Sequence, residues 1–269
     1  MTTYLITGAT GTLGRLAAHA LADLDPTADL HVLARPGTTL SPALVPPAAV
    51  RRGDYDDPSS LVAALVGIQR LLLVSSPVLE PTTRARQHRA VIQAAEEAGV
   101  EHVVYTSALG AEHDPGHLDT ERALTERRTP WTVLRNGLYT EPFLSRARGE
   151  AVSTGTVRSA TDGRAVRTAS VHDLADAAAR VLHDPRAMTT LELNGPGWTY
   201  DELAAALSAE LGRTVTHEPV APDALGPMGP VHALFAAGLL AQGPATLTAL
   251  LDRGPRSMAD VLRDRSGAE

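Results

Sequence analysis

Tyr4-Leu5-Ile6-Thr7-Gly8-Ala9-Thr10-Gly11-Thr12-Leu13-Gly14 is the stretch whose reading decides the fold. A short apolar, β-prone run, Tyr4–Thr7, leads into three glycines spaced Gly8-x-x-Gly11-x-x-Gly14. Apolar residues then recur at Leu13, Leu16, Ala17, Ala20, Leu21 and Leu24. Those are the intervals of a helix with one buried face, and Asp25-Pro26 stops it. In a strand–turn–helix unit each glycine has a task. The first permits the tight turn, the second lets the backbone approach a pyrophosphate, and the third packs the helix against the strand. The N–H groups at the helix start then face the phosphates. The spacing alone is a weak signal, but at the head of a βαβ unit it predicts a dinucleotide site.

Working outward, the alternation continues. His31–Ala34 reads as a second strand, followed by a Pro/Ala-rich connection from Pro36 to Pro47 and a short strand near Val50. Leu61–Val66 reads as a helix, with Asp56-Asp57 as its solvated start and Pro58 at the first helical position. Leu71-Leu72-Leu73-Val74 is a near-continuous apolar run, the mark of a parallel strand covered on both faces. Arg84–Ala98 reads as a helix with Val91, Ile92 and Ala95 inward and Gly99 at its stop. His102–Thr106, Trp131–Arg135 and Leu191–Leu193 read as strands, and Thr120–Arg127 as a helix. Asp173 is expected to cap a helix, and Thr199-Tyr200-Asp201-Glu202 is a capping box opening Leu203–Leu211. The expected fold is α/β, a doubly wound parallel-sheet Rossmann fold with a smaller C-terminal substrate lobe. The expected division is 1–141 for the dinucleotide-binding core and 142–269 for the substrate lobe, interleaved with the last strand. The rhythm breaks in two places, from Pro142 to Ser170 and from Thr214 to Gly254.

A second discriminator sits at the end of the second strand. Domains selective for NAD place Asp or Glu there to grip the ribose 2′-OH. Here Ala34-Arg35-Pro36 puts an arginine in that place. A guanidinium suits a 2′-phosphate through paired hydrogen bonds and can stack on adenine. The expected cofactor is therefore NADPH. Asp54 is the expected polar partner for the adenine edge, with Arg15 as a second phosphate contact.

Composition removes several classes. The 269 residues carry a net charge of -7, which argues against a nucleic-acid footprint. There is no cysteine, so disulfide and thiolate chemistry are excluded. No uninterrupted apolar run approaches the ~18 residues of a membrane span, and Met1-Thr2-Thr3-Tyr4 lacks a basic leader. A cytoplasmic protein with a small-molecule substrate is expected, without membrane or nucleic-acid partners, and its exposed helices leave room for a homodimer. All 24 basic residues are arginine. The absence of lysine forbids any mechanism that needs one.

Several motifs now stand in a familiar order: the glycine loop, Gly53-Asp54-Tyr55, Leu72-Leu73-Val74-Ser75-Ser76, Gln87-His88, Tyr105-Thr106-Ser107 and Leu134-Arg135-Asn136-Gly137-Leu138-Tyr139. On these the chain resembles the NmrA-like atypical short-chain dehydrogenases, nearest the branch of bacterial NADPH:quinone oxidoreductases and triphenylmethane reductases. The resemblance covers nearly the whole length and is weakest from about 215 to 250. It implies that Thr7, Gly8, Ala9, Thr10, Gly11, Thr12, Leu13 and Gly14 surround the pyrophosphate and that Arg35 meets the 2′-phosphate. It places Ser75, Ser76 and Pro77 near the second ribose and nicotinamide, with Tyr105, Thr106 and Ser107 beside that ring. Asn136, Gly137 and Tyr139 then close the nicotinamide pocket.

One departure is informative. Typical short-chain dehydrogenases pair Tyr-x-x-x-Lys after the fifth strand, the lysine lowering the tyrosine pKa. Residues 108–124 hold neither type. In that segment stands His117-Leu118-Asp119-Thr120-Glu121, similar to a His-x-x-Thr-Glu element of the branch. His117 is the first candidate for orienting substrate or supplying a proton, followed by Tyr139 and Asn136. As a residue read alone, His117 is equally a helix cap or a surface imidazole. His113 and His117 are four apart, but Pro115-Gly116 is expected to break the helix that a metal pair would need, so no metal is expected. No Gly-x-Ser-x-Gly element points to serine hydrolysis. The expected activity is NADPH-dependent hydride transfer to an electron-poor conjugated acceptor such as a quinone or enone. A non-catalytic NADP(H) sensor, or a pathway-specific ketoreductase or isomerase on the same fold, remains open.

Overall fold

The computed structural model describes residues 1–40, 48–240, 243 and 245–266. Residues 41–47 of the Pro/Ala-rich connection lie outside the described residues, as do 241, 242 and 244 of the Pro/Gly-rich stretch and 267–269 of the C-terminal lobe. The chain forms two compact units, Met1–Asn136 with Leu174–Glu192, and Gly137–Asp173 with Leu193–Glu269.

The first unit is built by βα alternation: β1 (Thr3–Ile6), α1 (Thr12–Leu24), β2 (Asp29–Ala34), β3 (Ala49–Arg52), α2 (Pro58–Leu65), β4 (Arg70–Leu73), α3 (Pro81–Glu97), β5 (His102–Ala108), α4 (Pro115–Thr125) and β6 (Trp131–Asn136). After the elements of the second unit described below, α6 (Val171–His183) and β9 (Thr189–Leu193) complete it. The sheet has seven strands in the order β3-β2-β1-β4-β5-β6-β9, and every ladder from β3 to β6 is parallel. The reversal of order between β1 and β4 is the topological switch point, where ligands bind outside the carboxyl ends of strands.

Strand periodicity divides the sheet into two faces. Leu5, Leu33, Leu71, Leu73, Val103, Tyr105 and Val133 share a buried cluster with Leu61, Leu65, Val91, Ile92, Ala95 and Leu124 of α2, α3 and α4. On the remaining side the α6 residue His183 stacks on Tyr4 and lies 3.8 Å from Asp25 beyond α1. The inward stripe of α1 differs from the expected one. It runs Leu13, Gly14, Ala17, Ala18 and Leu21, while Leu24 is exposed. The rotation brings the smallest residues to the closest approach. A Cβ on Gly14 would lie 2.5 Å from the Gly8 carbonyl oxygen and 2.7 Å from that of Thr7.

Two helix starts also differ from expectation. Pro115-Gly116 opens α4 and does not break it: Asp114 caps the helix, accepting from the N–H groups of Gly116 and His117 at 2.9 and 3.2 Å. Proline is tolerated at the first position because its missing N–H would be unpaired there anyway. Asp173 does not cap α6, which begins at Val171. It is fully buried, accepts from Arg256 N–H at 2.6 Å and lies 2.8 Å from the Arg253 guanidinium.

The second unit contains α5 (Thr140–Thr154), β7 (Thr156–Ser159), β8 (Val166–Arg167), β10 (Gly197–Trp198), α7 (Tyr200–Leu211), β11 (Thr216–Pro219), α8 (Gly229–Ala236), α9 (Ala245–Leu251) and α10 (Met258–Ser266). Two-stranded pairings, β7 with β11 and β8 with β10, replace the long sheet. The capping box at Thr199 and Glu202 opens α7 as expected. The core is aromatic: Phe143 meets Trp198 and Phe235 edge-on, and Tyr200 lies 3.1 Å from His232 Nε2 through its hydroxyl. Ser159, His217 and Asp201 are linked at 2.8 and 2.9 Å. Ser159 is buried and Asp201 exposed, the reverse of what an accessible nucleophile needs, so this relay ties β7 and β11 to α7.

Leu73→Ala removes a fully buried side chain from the middle of the first core. It is expected to cost ~2–5 kcal/mol, read as a lower urea midpoint at unchanged slope, and a loss well under ~1 kcal/mol would contradict this packing.

Candidate active site

At the carboxyl ends of β1 to β4 the first unit opens a cleft of about 280 Å³. Gly8 and Thr10 form one wall, and Arg35 and Thr38 after β2 form the next. Gly53 to Asp56 follow β3, and Ser75 to Val78 follow β4. A larger groove of about 460 Å³ lies on α2, α3 and α4, lined by Val62, Arg89 and Gln93 among others. It contains no strand end and no glycine turn, so the smaller cleft is the candidate site.

The cleft is shaped by side chains that tie strand ends together. Gly8 adopts φ 64°, and its carbonyl accepts from Gly11 N–H at 2.9 Å, which closes the turn. The Thr7 hydroxyl is committed inside the core. It accepts from Val74 N–H at 2.8 Å, lies 3.2 Å from the Leu72 carbonyl and is 2.6 Å from the Tyr55 hydroxyl. One carboxylate oxygen of Asp54 accepts from Asp56 N–H at 3.1 Å. Arg35 is exposed, and its guanidinium has no ion pair or hydrogen bond among the described residues. Arg52 staples the turn that carries Arg35, donating from Nη1 to the carbonyls of Arg35 and Thr38 at 3.2 and 2.7 Å.

The loop after β4 is held from beneath by α3. Ser75 N–H donates to Thr106 Oγ1 at 3.0 Å, and Ser76 N–H donates to His88 Nε2 at 2.8 Å. The Ser76 hydroxyl donates to Gln87 Oε1 at 2.6 Å, and Gln87 Nε2 donates to Asp56 at 2.9 Å. Asp56 is therefore more than a solvated helix start. Hydrogen bonds from Arg86 and Gln87 hold its carboxyl below the usual range.

A buried polar cluster continues from this loop into α4. His88 Nδ1 lies 2.9 Å from Thr120 Oγ1, which donates to the Gly116 carbonyl at 2.7 Å. The Tyr105 hydroxyl lies 2.7 Å from His117 Nδ1 and 3.4 Å from His88 Nδ1. Arg84, itself buried, donates to the Val78 carbonyl and to Asp114 at 2.7 and 2.9 Å. Burial pulls the His88 pKa down to about 3, with His117 and Arg84 adding to the effect. Burial also lowers the His117 pKa, against the pull of Asp114, and raises the Tyr105 phenol. At neutral pH all three rings are uncharged.

Two more expected residues sit at strand ends nearby. The Ser107 hydroxyl donates to Glu121 at 2.6 Å, and Arg135 clasps Glu121 through Nε and Nη2 at 3.1 and 2.8 Å. Asn136, at the end of β6, is buried, and its Oδ1 has no partner among the described residues. Thr12, Leu13 and Gly14 stand in the first turn of α1 and do not line the cleft. Gly137 and Tyr139 belong to the second unit. There Gly137 N–H donates to the Leu193 carbonyl at 2.6 Å, and Tyr139 precedes α5 with its phenol pKa raised by burial and by Glu141.

Sequence reasoning gave no site role to Arg84 or Arg52, and quoted His88 and Thr120 within motifs without assigning either a role. A signal for two of them was available. The inward stripe Val91, Ile92, Ala95 extends back along α3 to Arg84 and His88, polar residues on a buried face. These features fit a dinucleotide. The glycine turn places Gly8 and Thr10 on the cleft wall, and Arg35 offers there a cation without an ion pair among the described residues.

Comparison with known proteins agrees. A family model described as NAD(P)H-binding matches residues 8–185. Quinone oxidoreductase 2 of Escherichia coli is 36% identical over 220 residues, 79% of this chain and 76% of the relative. A (4-alkanoyl-5-oxo-2,5-dihydrofuran-3-yl)methyl phosphate reductase of Streptomyces griseus subsp. griseus is 32% identical over 232 residues, 82% of this chain and 78% of the relative. The crystal structure of Citrobacter sp. triphenylmethane reductase complexed with NADP(H) is similar with a TM-score of 0.88 and 28% identity, over 98% of this chain and 99% of that one.

The buried His88 gives acid sensitivity a definite sign. An unfolded chain protonates this imidazole near pH 6.5, whereas the folded protein resists until about 3. In that window the unfolded state binds the extra proton, so stability falls as pH drops, by up to ~1.4 kcal/mol per pH unit. Above the window His88 adds no pH dependence. His88→Gln is expected to be less stable at neutral pH but to lose stability less steeply between pH 6 and 4. Denaturant titrations giving parallel slopes for the two proteins would refute this.

Proposed function

The chain belongs to the NAD(P)H-binding family, within its NmrA-like branch of atypical short-chain dehydrogenases, and is an oxidoreductase of that family; from this premise we propose that it is an NADPH-dependent reductase of electron-poor conjugated acceptors such as quinones and enones. The observation that carries the cofactor choice is Arg35. Its guanidinium, without an ion pair among the described residues, stands in the strand-end cleft where NAD-selective domains carry an acid. The reactions for which two relatives are named, on a quinone and on an alkanoyl-oxo-dihydrofuran, support the acceptor class.

When bound, NADPH supplies the hydride from nicotinamide C4. The chain's own residues bind, orient and protonate. Gly8 to Thr10, with the N–H groups that open α1, would hold the pyrophosphate, and Arg35 would bind the 2′-phosphate on the turn stapled by Arg52. Asp54 borders the adenine, and Ser75 to Pro77 border the second ribose. Thr106 and Ser107 shape the end of β5, and Asn136 Oδ1 would offer an acceptor to the nicotinamide carboxamide. His117 offers a hydrogen bond to the acceptor oxygen as negative charge builds there. A chain without lysine has no Tyr-x-x-x-Lys pair. A conjugated acceptor tolerates this because it spreads the incoming charge over several atoms.

NADPH is expected to bind at least tenfold more tightly than NADH, a difference of about one charge-assisted hydrogen-bond pair. Arg35→Asp removes the preference, measured by fluorescence titration, and equal affinities in the wild type would refute it. In stopped-flow mixing with a quinone panel, bound NADPH is expected to be oxidised, and His117→Ala to slow that step by roughly a hundredfold. Tight NADPH binding with no oxidation by any conjugated acceptor would instead mark a sensor.

A further inference from the structure

The chain of donors and acceptors behind the cleft can be traced from a backbone amide. The Ser76 N–H can only donate, and at 2.8 Å it points at His88 Nε2. His88 is uncharged in the folded protein, so an Nε2 that accepts leaves the ring's proton on Nδ1. That Nδ1–H meets Thr120 Oγ1 at 2.9 Å, and Thr120 is free to accept because its own proton goes to the Gly116 carbonyl at 2.7 Å. His88 Nδ1, carrying a proton, cannot receive another from the Tyr105 hydroxyl 3.4 Å away. The phenol also meets the side chains of Thr120 and Ser75; of its neighbours among the described residues His117 Nδ1, at 2.7 Å, is the one basic nitrogen left to accept, and the phenol proton is assigned to it. Burial raises the phenol pKa and keeps that proton in place.

We infer that Tyr105 is a positioning residue for the reduction: its buried hydroxyl fixes His117 as the Nε2–H tautomer, so that this ring presents a donor and not an acceptor to the substrate oxygen. The inference rests on the proposed reading that His117 faces the acceptor. His117 Nε2 has no hydrogen-bond partner among the described residues, and the ring is not wholly enclosed. Asp114, which caps α4, accepts from His117 N–H, so the ring's height on the helix is fixed as well as its tautomer. The register is set by Ser76, a residue of the cofactor cleft itself. A disturbed Ser75–Pro77 loop would release His88, then Tyr105, then His117. Tyr105 is wholly buried. It acts through His117 and not on the substrate.

Imidazole-labelled protein in a long-range nitrogen–proton NMR correlation reads the tautomer directly. His117 is expected to show a protonated, pyrrole-type Nε2 and a bare, pyridine-type Nδ1 at neutral pH, and Tyr105→Phe to give mixed tautomers. The same variant is expected to lower kcat for a quinone by about tenfold, one hydrogen bond's worth, with the NADPH dissociation constant within twofold of wild type. A protonated Nδ1 in the wild type, or an unchanged His117 spectrum in Tyr105→Phe, would overturn the inference. Should the variant fail to fold, the wild-type spectrum decides alone. Turnover that survives His117→Ala would sink the reading of His117 while leaving the tautomer result standing.

Discussion

The hydrogen bond from Ser76 N–H to the enclosed imidazole of His88 is the contact on which the candidate site depends. A backbone amide at the end of a parallel strand has left its ladder and needs a partner. In a dry core that partner must be a neutral acceptor, and burial makes His88 one. From this single contact the β4 loop is fixed over α3. The neighbouring Gln87 ties Ser76 to Asp56, and Thr120 draws in α4. The loop that borders the cofactor cleft and the helix that carries His117 are thus parts of one network.

The cost of such a network is acid sensitivity, since each buried neutral histidine resists a proton that the unfolded chain accepts. What it provides is rigidity. Every polar atom in a path from Ser76 to Gly116 has a partner, so the path has few alternative arrangements. Arg35 is the opposite case. It stands exposed with no ion pair or hydrogen bond to its guanidinium among the described residues, and its turn is held by Arg52. A phosphate-binding cation needs a fixed backbone and a free guanidinium.

Much of the fold was legible because its signals are local. The glycine spacing, the apolar stripe after it and the run Leu71-Leu72-Leu73 each report a neighbourhood of a few residues. Errors arose where tertiary contact chose between local options. Pro115-Gly116 reads as a break until Asp114 is seen capping the helix. Asp173 reads as a cap until its bonds to Arg253 and Arg256, some eighty residues away, are seen. Within the candidate site, the cleft residues were legible from strand ends. No spacing in the sequence shows that the Tyr105 hydroxyl lies 2.7 Å from His117 Nδ1. The roles of His88, Thr120 and Arg84 depend on α3 meeting α4, which no spacing in the sequence reveals.

The family supplies the cofactor's chemistry, and this chain's residues decide how it is used. Under the proposed reading, the absence of lysine is met by an acceptor that stabilises its own charge and by a histidine held in one orientation. A crystal structure with NADP⁺ bound is the most direct measurement. The account requires the 2′-phosphate on the Arg35 guanidinium and nicotinamide C4 on the side of the cleft nearest His117 Nε2. A 2′-phosphate turned to solvent with Arg35 unengaged, or a nicotinamide remote from His117, would contradict it.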